Sequence, residues 1–219
     1  MAKLPILQYP HPKLAAKAEP VADFNDAIKT LVNDMAETMY AAPGVGLAAN
    51  QVGILKRIVV IDITDDNSDL LVFINPEIIE TKGDLVDHEE GCLSLKGLYE
   101  HVKRPGQVRV HAQNIKGETF ELECTGLLAV CIQHEVDHLN GIVFIDHLSQ
   151  LKKQRACFAS FAEKIANVKK TKKRNTFKYL RIKPGVHDNA RRSTGHRIPS
   201  TLVQADDPNH LQRSASRRE

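Results

Sequence analysis

The chain has 219 residues, 42% of them apolar, which is enough for one domain with a good core and further sequence beyond it. The net charge of +3 is unevenly placed: residues 169–219 hold 14 Lys and Arg against 4 Asp and Glu, a net of +10, and residues 1–168 hold 16 against 23, a net of −7. An acidic body with a basic appended segment is expected, while MAKLPILQYPHPK has no apolar run long enough for a signal peptide and no apolar run of about 18 residues offers a membrane span.

Residues 25–40 predict an amphipathic helix, with Ile28, Leu31, Val32, Met35 and Met39 at helical spacing. Asp23 or Asn25 can cap its start, and Pro43-Gly44 stops it. PGVGLAANQVG follows at 43–53. It lacks the GxGxxG spacing and the Lys-Ser/Thr ending of a phosphate loop. It is either a tight turn into an apolar strand or a backbone that approaches a ligand closely at Gly44 and Gly46, with Gln51 as an amide donor. RIVVIDI at 57–63 is rich in β-branched residues and predicts a strand. LLVFINPEII at 70–79 predicts one or two more, broken near Asn75-Pro76. Residues 108–113 and 119–124 flank NIKG as a hairpin. A helix is expected over about 126–139, with Thr125 as its cap and Asn140-Gly141 as its stop. IVFID at 142–146 then reads as a strand. Leu151, Arg155, Phe158, Ala162 and Ile165 continue a helical rhythm through 148–168. From Lys169 the periodicity fails, and the mixture of Lys, Arg, Pro, Gly, Ser and Asn reads as disordered. The expected fold is α+β, with small antiparallel sheets packed around a central helix and a helix at either end. It occupies residues 1–168, with a basic tail over 169–219.

The central helix carries QHEVDHLNG at 133–141. His134 and His138 lie four residues apart on one face, so both can direct a ring nitrogen to one ion. Glu135, about 100° around from His134, can border the ion's open position without filling it. That is the chemical sense of HExxH: two imidazole ligands and a carboxylate to manage the proton of a bound water.

Such a site needs a third ligand. The four cysteines, Cys92, Cys124, Cys131 and Cys157, form no CxxC pair and no disulfide framework. A reducing cytoplasm is expected, with any special cysteine a ligand or nucleophile. Cys131 shares the stripe of the histidines but lies seven residues from His138, roughly 10 Å of helical rise. Bonds of about 2.0–2.3 Å do not easily close that gap, so Cys131 is expected to pack beside the site. Cys124 falls in the hairpin, and Cys157 in the terminal helix, where a small buried apolar role is the default. Cys92, in HEEGCLSL, follows a glycine in a short extended stretch. It would complete a Cys-His-His set from a separate element; a buried thiol is its plain alternative. Three protein ligands leave a fourth position for water, which marks a catalytic site.

GVGLAANQ at 44–51, EGCLS at 90–94 and QHEVDHLNG at 133–141 stand in an order and at a spacing that resemble the three motifs of the peptide deformylases. The resemblance covers about residues 3–168, and the end is similar to the bacterial type that closes on a helix. It implies hydrolysis of the formyl group from the N-formylmethionine of newly made polypeptides, with release of formate. It implies Cys92, His134 and His138 as ligands of one Fe²⁺, for which Zn²⁺, Ni²⁺ or Co²⁺ can substitute. Glu135 would be the general base and then the acid for the leaving amine. Gln51 and the backbone N–H of Leu93 would stabilise the oxyanion. Gly44, Val45 and Gly46 would form a narrow pocket at the formyl group, and Leu127, Val130 and Cys131 an apolar slot for methionine. Glu90 would orient a histidine ligand and Asp137 would pair with Arg104, each being otherwise an ordinary surface charge. Two departures lie near the expected peptide path: Lys96, where many members have a proline, and Pro43, where a charged residue is common. The implied partners are N-formylmethionyl peptides and, for the terminal helix and basic tail, the ribosome, whose RNA would be held by counterion release. An unselected extension is the alternative for the tail. A monomer is expected.

Two other readings remain open to the residues. A zinc endopeptidase would draw its third ligand from beyond the helix, where Asp146 and His147 are the near candidates, and would leave EGCLS and GVGLAANQ unexplained. A non-enzymatic module with a structural metal would need a fourth protein ligand, and none is obvious.

Overall fold

Asn25 starts the first helix of the computed structural model, which describes residues 2–158. Its Oδ1 accepts from the N–H of Ala27 at 3.1 Å and of Ile28 at 3.2 Å. These are two of the donors that a helix start leaves without an internal partner. Helix α1 then runs over Asp26–Ala41 and buries Val32, Met35 and Met39, a stripe at helical spacing.

Five strands form one antiparallel sheet in chain order: β1 Gly46–Ala48, β2 Ile58–Ile61, β3 Leu71–Cys92, β4 Leu95–Gln113 and β5 Thr119–Thr125. The expected α+β class holds, with the strands joined in this single sheet. All four residues of β2 are buried because the sheet is covered on both sides. Val59 and Ile61 join the core beneath helix α2, Gly126–Leu139, while Ile58 and Val60 join the core beneath α1. Successive side chains of a strand point to opposite faces, so this short strand feeds both cores.

Several sequence expectations change in the structure. The strand at 70–79 is not broken at Asn75-Pro76. It passes through as a register shift between Ile74 and Glu77, with Asn75 at φ 53°. The Asn75 side chain takes over the lost pairing, accepting from Val21 N and donating to Val21 O and Gln113 Oε1. The same strand continues to Cys92 and pairs with β4 as a long hairpin, whose residues 81–87 are all exposed. Thr125 occupies the cap position of α2 but accepts no bond through its side chain. Residues 142–146 are not a strand. Asp146 Oδ2 accepts from Val143 N at 2.9 Å, curling Phe144–His147 into a 3-10 turn that buries Phe144 and Ile145. Asn140-Gly141 does end α2: Gly141 has φ +78°, and a Cβ there would lie 2.6 Å from Ala15 O. Of the terminal helix, the described part spans 150–158. Its continuation to Val168, and the proposed boundary and tail at 169–219, lie outside the described residues. Among the described residues, no helix is long and apolar enough to cross a membrane.

The N-terminal segment ties two distant turns together. Leu7 N donates to Gln51 O and Tyr9 N to Ser94 O, each at 2.8 Å, and Gln8 Nε2 donates to Leu93 O at 3.0 Å. Residues 49–52 and 93–94 are thereby fixed against one another.

Candidate active site

Cys92 ends β3, whose hairpin partner Leu95 begins β4. This tight reversal points the thiol toward α2. Cys92 Sγ and one ring nitrogen each of His134 and His138 lie within 4.8 Å of one another. Sγ is 3.2 Å from His138 Nε2. The imidazole rings stand edge to face, 4.9 Å between centroids, and His134 also stacks on the buried ring of Phe144. The i, i+4 spacing on α2 accounts for the two histidines. Cys131 is not in this group: its Sγ lies 3.8 Å from Val45 O, and burial pushes its thiol well above the ordinary range.

Behind His134 runs a chain of buried charge. His134 Nδ1 donates to Glu90 Oε2 at 2.8 Å, which leaves Nε2 for the cluster. Arg104 donates to the same carboxylate twice, from Nε at 2.5 Å and Nη2 at 3.1 Å, and from Nη1 to Asp137 Oδ2 at 2.8 Å. Burial alone would raise the Glu90 pKa; the bonds from His134 and Arg104 outweigh it and pull it down to about 2. Asp137 Oδ2 also meets His147 Nε2 at 2.7 Å. His147 therefore serves Asp137 and Asp146 caps a turn, so the endopeptidase reading loses both its candidate ligands.

Burial also disfavours a proton on His134, but Cys92 and Glu90 outweigh it and push its pKa well up. Cys92 and Glu90 therefore both favour positive charge at this point of the site. His138 is driven the other way, chiefly by burial, and stays a neutral imidazole with a free lone pair. One half-buried sulfur and two buried nitrogen donors, converging, fit a borderline divalent ion.

Glu135 lies beside this group with 4% exposure, and its Oε2 has no partner among the described residues. Burial is the main cause that raises its pKa to about 7. Its place explains Gly46: a Cβ there would stand 2.6 Å from Glu135 Oε1 and 2.7 Å from Cys131 Sγ. A Cβ at Gly44 would meet Leu93 Cδ1 at 2.7 Å. The close approaches expected at these glycines are thus to the protein's own side chains. Gln51 is buried; its Oε1 accepts from Ala48 N at 2.8 Å, which turns Nε2 toward Ser94 Oγ at 3.2 Å and Cys92 Sγ at 3.5 Å.

A cavity of about 460 Å³ opens onto Gln51, Cys92, Leu93, His134 and Glu135. Gly44, Val45, Gly46, Leu127, Val130 and Cys131 all line it. Pro43 and Lys96, the two departures, line it as well, with Tyr99, whose ring packs over Gly91. Sequence reasoning missed Tyr99, Ser94 and Asn50, and it named His147 only as a candidate ligand, not as the partner of Asp137. Ser94 and Asn50 lay inside quoted motifs, where helical spacing and ligand chemistry say nothing about them. Tyr99 is found only through its strand pairing with Gly91.

A family model described as polypeptide deformylase matches residues 3–154. Over 155 residues the chain is 57% identical to a peptide deformylase of Cellvibrio japonicus (strain Ueda107), covering 71% of this chain and 92% of that protein. It is equally similar to peptide deformylase 1 of Burkholderia multivorans (strain ATCC 17616 / 249), at 57% identity over 71% of this chain and 86% of that one. A crystal structure of a peptide deformylase from Legionella pneumophila superposes with a TM-score of 0.73 at 44% identity, covering 76% of this chain and 98% of that one. One from Synechococcus elongatus in complex with actinonin gives 0.68 at 42% identity, over 71% of this chain and 86% of that one.

Proposed function

The chain belongs to the polypeptide deformylase family, metal-dependent hydrolases that remove the formyl group from nascent peptides, and from that premise we infer that Cys92, His134 and His138 hold its metal ion. The observation that carries this assignment is the meeting of their three donor atoms within 4.8 Å beside a buried carboxyl group. We read the ion as Fe²⁺, with Zn²⁺, Ni²⁺ or Co²⁺ able to replace it, because one thiolate and two imidazoles suit borderline metals. When bound, it supplies Lewis-acid polarisation of the formyl group and lowers the pKa of water.

The remaining steps belong to side chains of this protein. Glu135 accepts the proton of the attacking water and passes it to the amine that leaves. Its burial and its seat against Gly46 hold the carboxyl in place for both transfers. Gln51 Nε2 and the N–H of Leu93 donate to the oxygen of the formyl group as negative charge develops there. The bond from Ala48 to Gln51 Oε1 supports this role, since it fixes which end of the amide faces the site. Gly44, Val45 and Gly46 leave room for a formyl hydrogen and exclude larger acyl groups. Leu127, Val130 and Cys131 form the apolar side that takes methionine. Glu90 orients His134, with Arg104 and Asp137 behind it.

New chains carry their formyl group as they leave the ribosome, so we place the enzyme in the cytoplasm as a monomer. The net +10 of residues 169–219 supports contact with ribosomal RNA through that segment. The test is formate release from a formyl-Met peptide by anaerobically purified, Fe²⁺- or Ni²⁺-loaded protein. Glu135→Ala is expected to lower kcat by about 10²–10⁴-fold with metal retained, and Cys92→Ala to lose metal and activity together. Undiminished release from either variant overturns that residue's role.

A further inference from the structure

The two histidines of the site are supported unequally. His134 Nδ1 has the Glu90 carboxylate. His138 is fully buried, with Nε2 toward Cys92 Sγ, and its Nδ1 has no protein partner among the described residues. Where Nε2 is the ligand atom, Nδ1 carries the proton, and a buried N–H of this kind needs an acceptor.

Asn50 is the other fully buried polar residue at this point, in the 3-10 turn Ala49–Val52 that follows β1. Its Nδ2 donates to the backbone oxygen of His138 itself, an oxygen that also accepts from Gly141 N at 3.0 Å. That bond settles the amide's orientation, because the reverse would set Oδ1 against a carbonyl oxygen. Asn50 Oδ1 is then left without a protein donor among the described residues. One buried residue pair thus presents an unmatched donor, His138 Nδ1–H, and an unmatched acceptor, Asn50 Oδ1.

We propose that Asn50 is a positioning residue for His138, gripping its backbone through Nδ2 and serving its ring Nδ1–H through Oδ1 across one buried water. The water accepts from Nδ1–H and donates to Oδ1, so every partner is matched. The first contact pins the last turn of α2 against the turn after β1. The second fixes the tautomer that leaves Nε2 free to bind metal. His138 thereby gains from a neutral amide what His134 gains from a carboxylate.

The inference rests on His138 being a ligand, and the experiment separates the two. The full chain loaded with Zn²⁺ is challenged with a chelator, and the His138 tautomer is read from two-bond ¹H–¹⁵N spectra. The thermal midpoint of the metal-free protein is measured alongside. Asn50→Leu is expected to lose metal about 10–100-fold faster than wild type and to lose the single His138 tautomer. Its kcat is expected to fall with KM unchanged. Asn50→Asp keeps an acceptor for the water but replaces the Nδ2 donor to the His138 backbone oxygen with an oxygen, so it is expected to keep the single tautomer while holding metal less well than wild type, which also decides the matter if the leucine variant does not fold. Leucine and wild-type chains that release metal alike, with one His138 spectrum, overturn the proposal and leave the ligand assignment standing. So does a metal loss that only tracks the fall in metal-free stability, with the single His138 tautomer lost in the aspartate variant as well. A wild-type chain that takes up no Zn²⁺, or a His138→Ala chain that holds it as well, overturns the ligand assignment and this inference with it.

Discussion

The two faces of the sheet are built from different materials. On the α1 side, Val32, Met35 and Met39 meet Leu47, Ile58, Val60 and Ile74, with Thr38 and Asp62 as the buried polar residues beside them. On the α2 side the apolar cluster of Val59, Ile61, Phe73, Val110 and Ile132 gives way, toward Cys92, to buried Gln133, His134, Glu135 and His138 from the helix and Glu90 and Arg104 from the hairpin. Burying a polar group is costly unless it is hydrogen-bonded, and a charge must also be paired. Glu90 and Arg104 meet that condition, whereas Glu135 Oε2 and His138 Nδ1 do not. One face therefore holds the fold, and the other spends part of that stability on chemistry.

The sharpest way to break this division is Arg104→Met. Arg104 is 4% exposed and is the sole cation shared by Glu90 and Asp137 among the described Arg and Lys side chains. Removing it leaves Glu90 with His134 alone and Asp137 with His147 alone, an expected loss of about 3–5 kcal/mol in denaturant unfolding. Metal retention is expected to fall too, since Glu90 loses its orientation toward His134. A variant as stable as wild type would show that the polar layer carries no structural weight.

Met39→Ala probes the opposite face. The side chain is fully buried beneath the sheet, and its truncation is expected to cost about 2–5 kcal/mol through lost burial and a cavity. Per folded molecule, kcat/KM and metal content are expected to stay within about twofold of wild type. A large fall in kcat at a temperature where the variant is folded would mean that the two faces are not separable.

How much of this was visible in the sequence follows the same line. The histidines and Glu135 could be read from spacing because a helix turns spacing into direction, and α1 and α2 showed their start and stop residues. Cys92 was found by ligand chemistry and motif resemblance, since the 42 positions separating it from His134 encode no contact. The outer hairpin was invisible: residues 81–87 are exposed whichever way they point, so no period-2 pattern marks them as strand. IVFID misled for the opposite reason. Its β-branched run favours a strand, but Asp146 closes a turn onto Val143 before one can extend. Asn50 and Glu90 show the general limit. Their importance comes from what lies opposite them in the folded chain, and local pattern carries no such term.

The smallest effect is expected at the rim of the α1 face, where Tyr40 of the amphipathic helix meets Asp62, just past the end of β2. Tyr40 O–H donates to Asp62 Oδ2 at 2.7 Å, and Thr64 donates to Oδ1 through both its N–H and its hydroxyl. Burial would raise the Asp62 pKa, but these bonds outweigh it and hold it below the usual 3.8. Tyr40 is pushed up to about 12, by burial first and by Asp62 second, so it remains a neutral donor at physiological pH. Tyr40→Phe removes one of the bonds that favour the carboxylate, an expected cost of about 1 kcal/mol near neutrality. Because the folded pKa is depressed, this contribution is complete above about pH 4 and is lost as pH falls through the folded value. The stability gap between wild type and Tyr40→Phe, followed by denaturant unfolding across acid pH, is therefore expected to narrow below about pH 4. A gap that persists unchanged in strong acid would assign the loss to packing of the ring, and the α1 face would then be apolar in its energetics to its very edge.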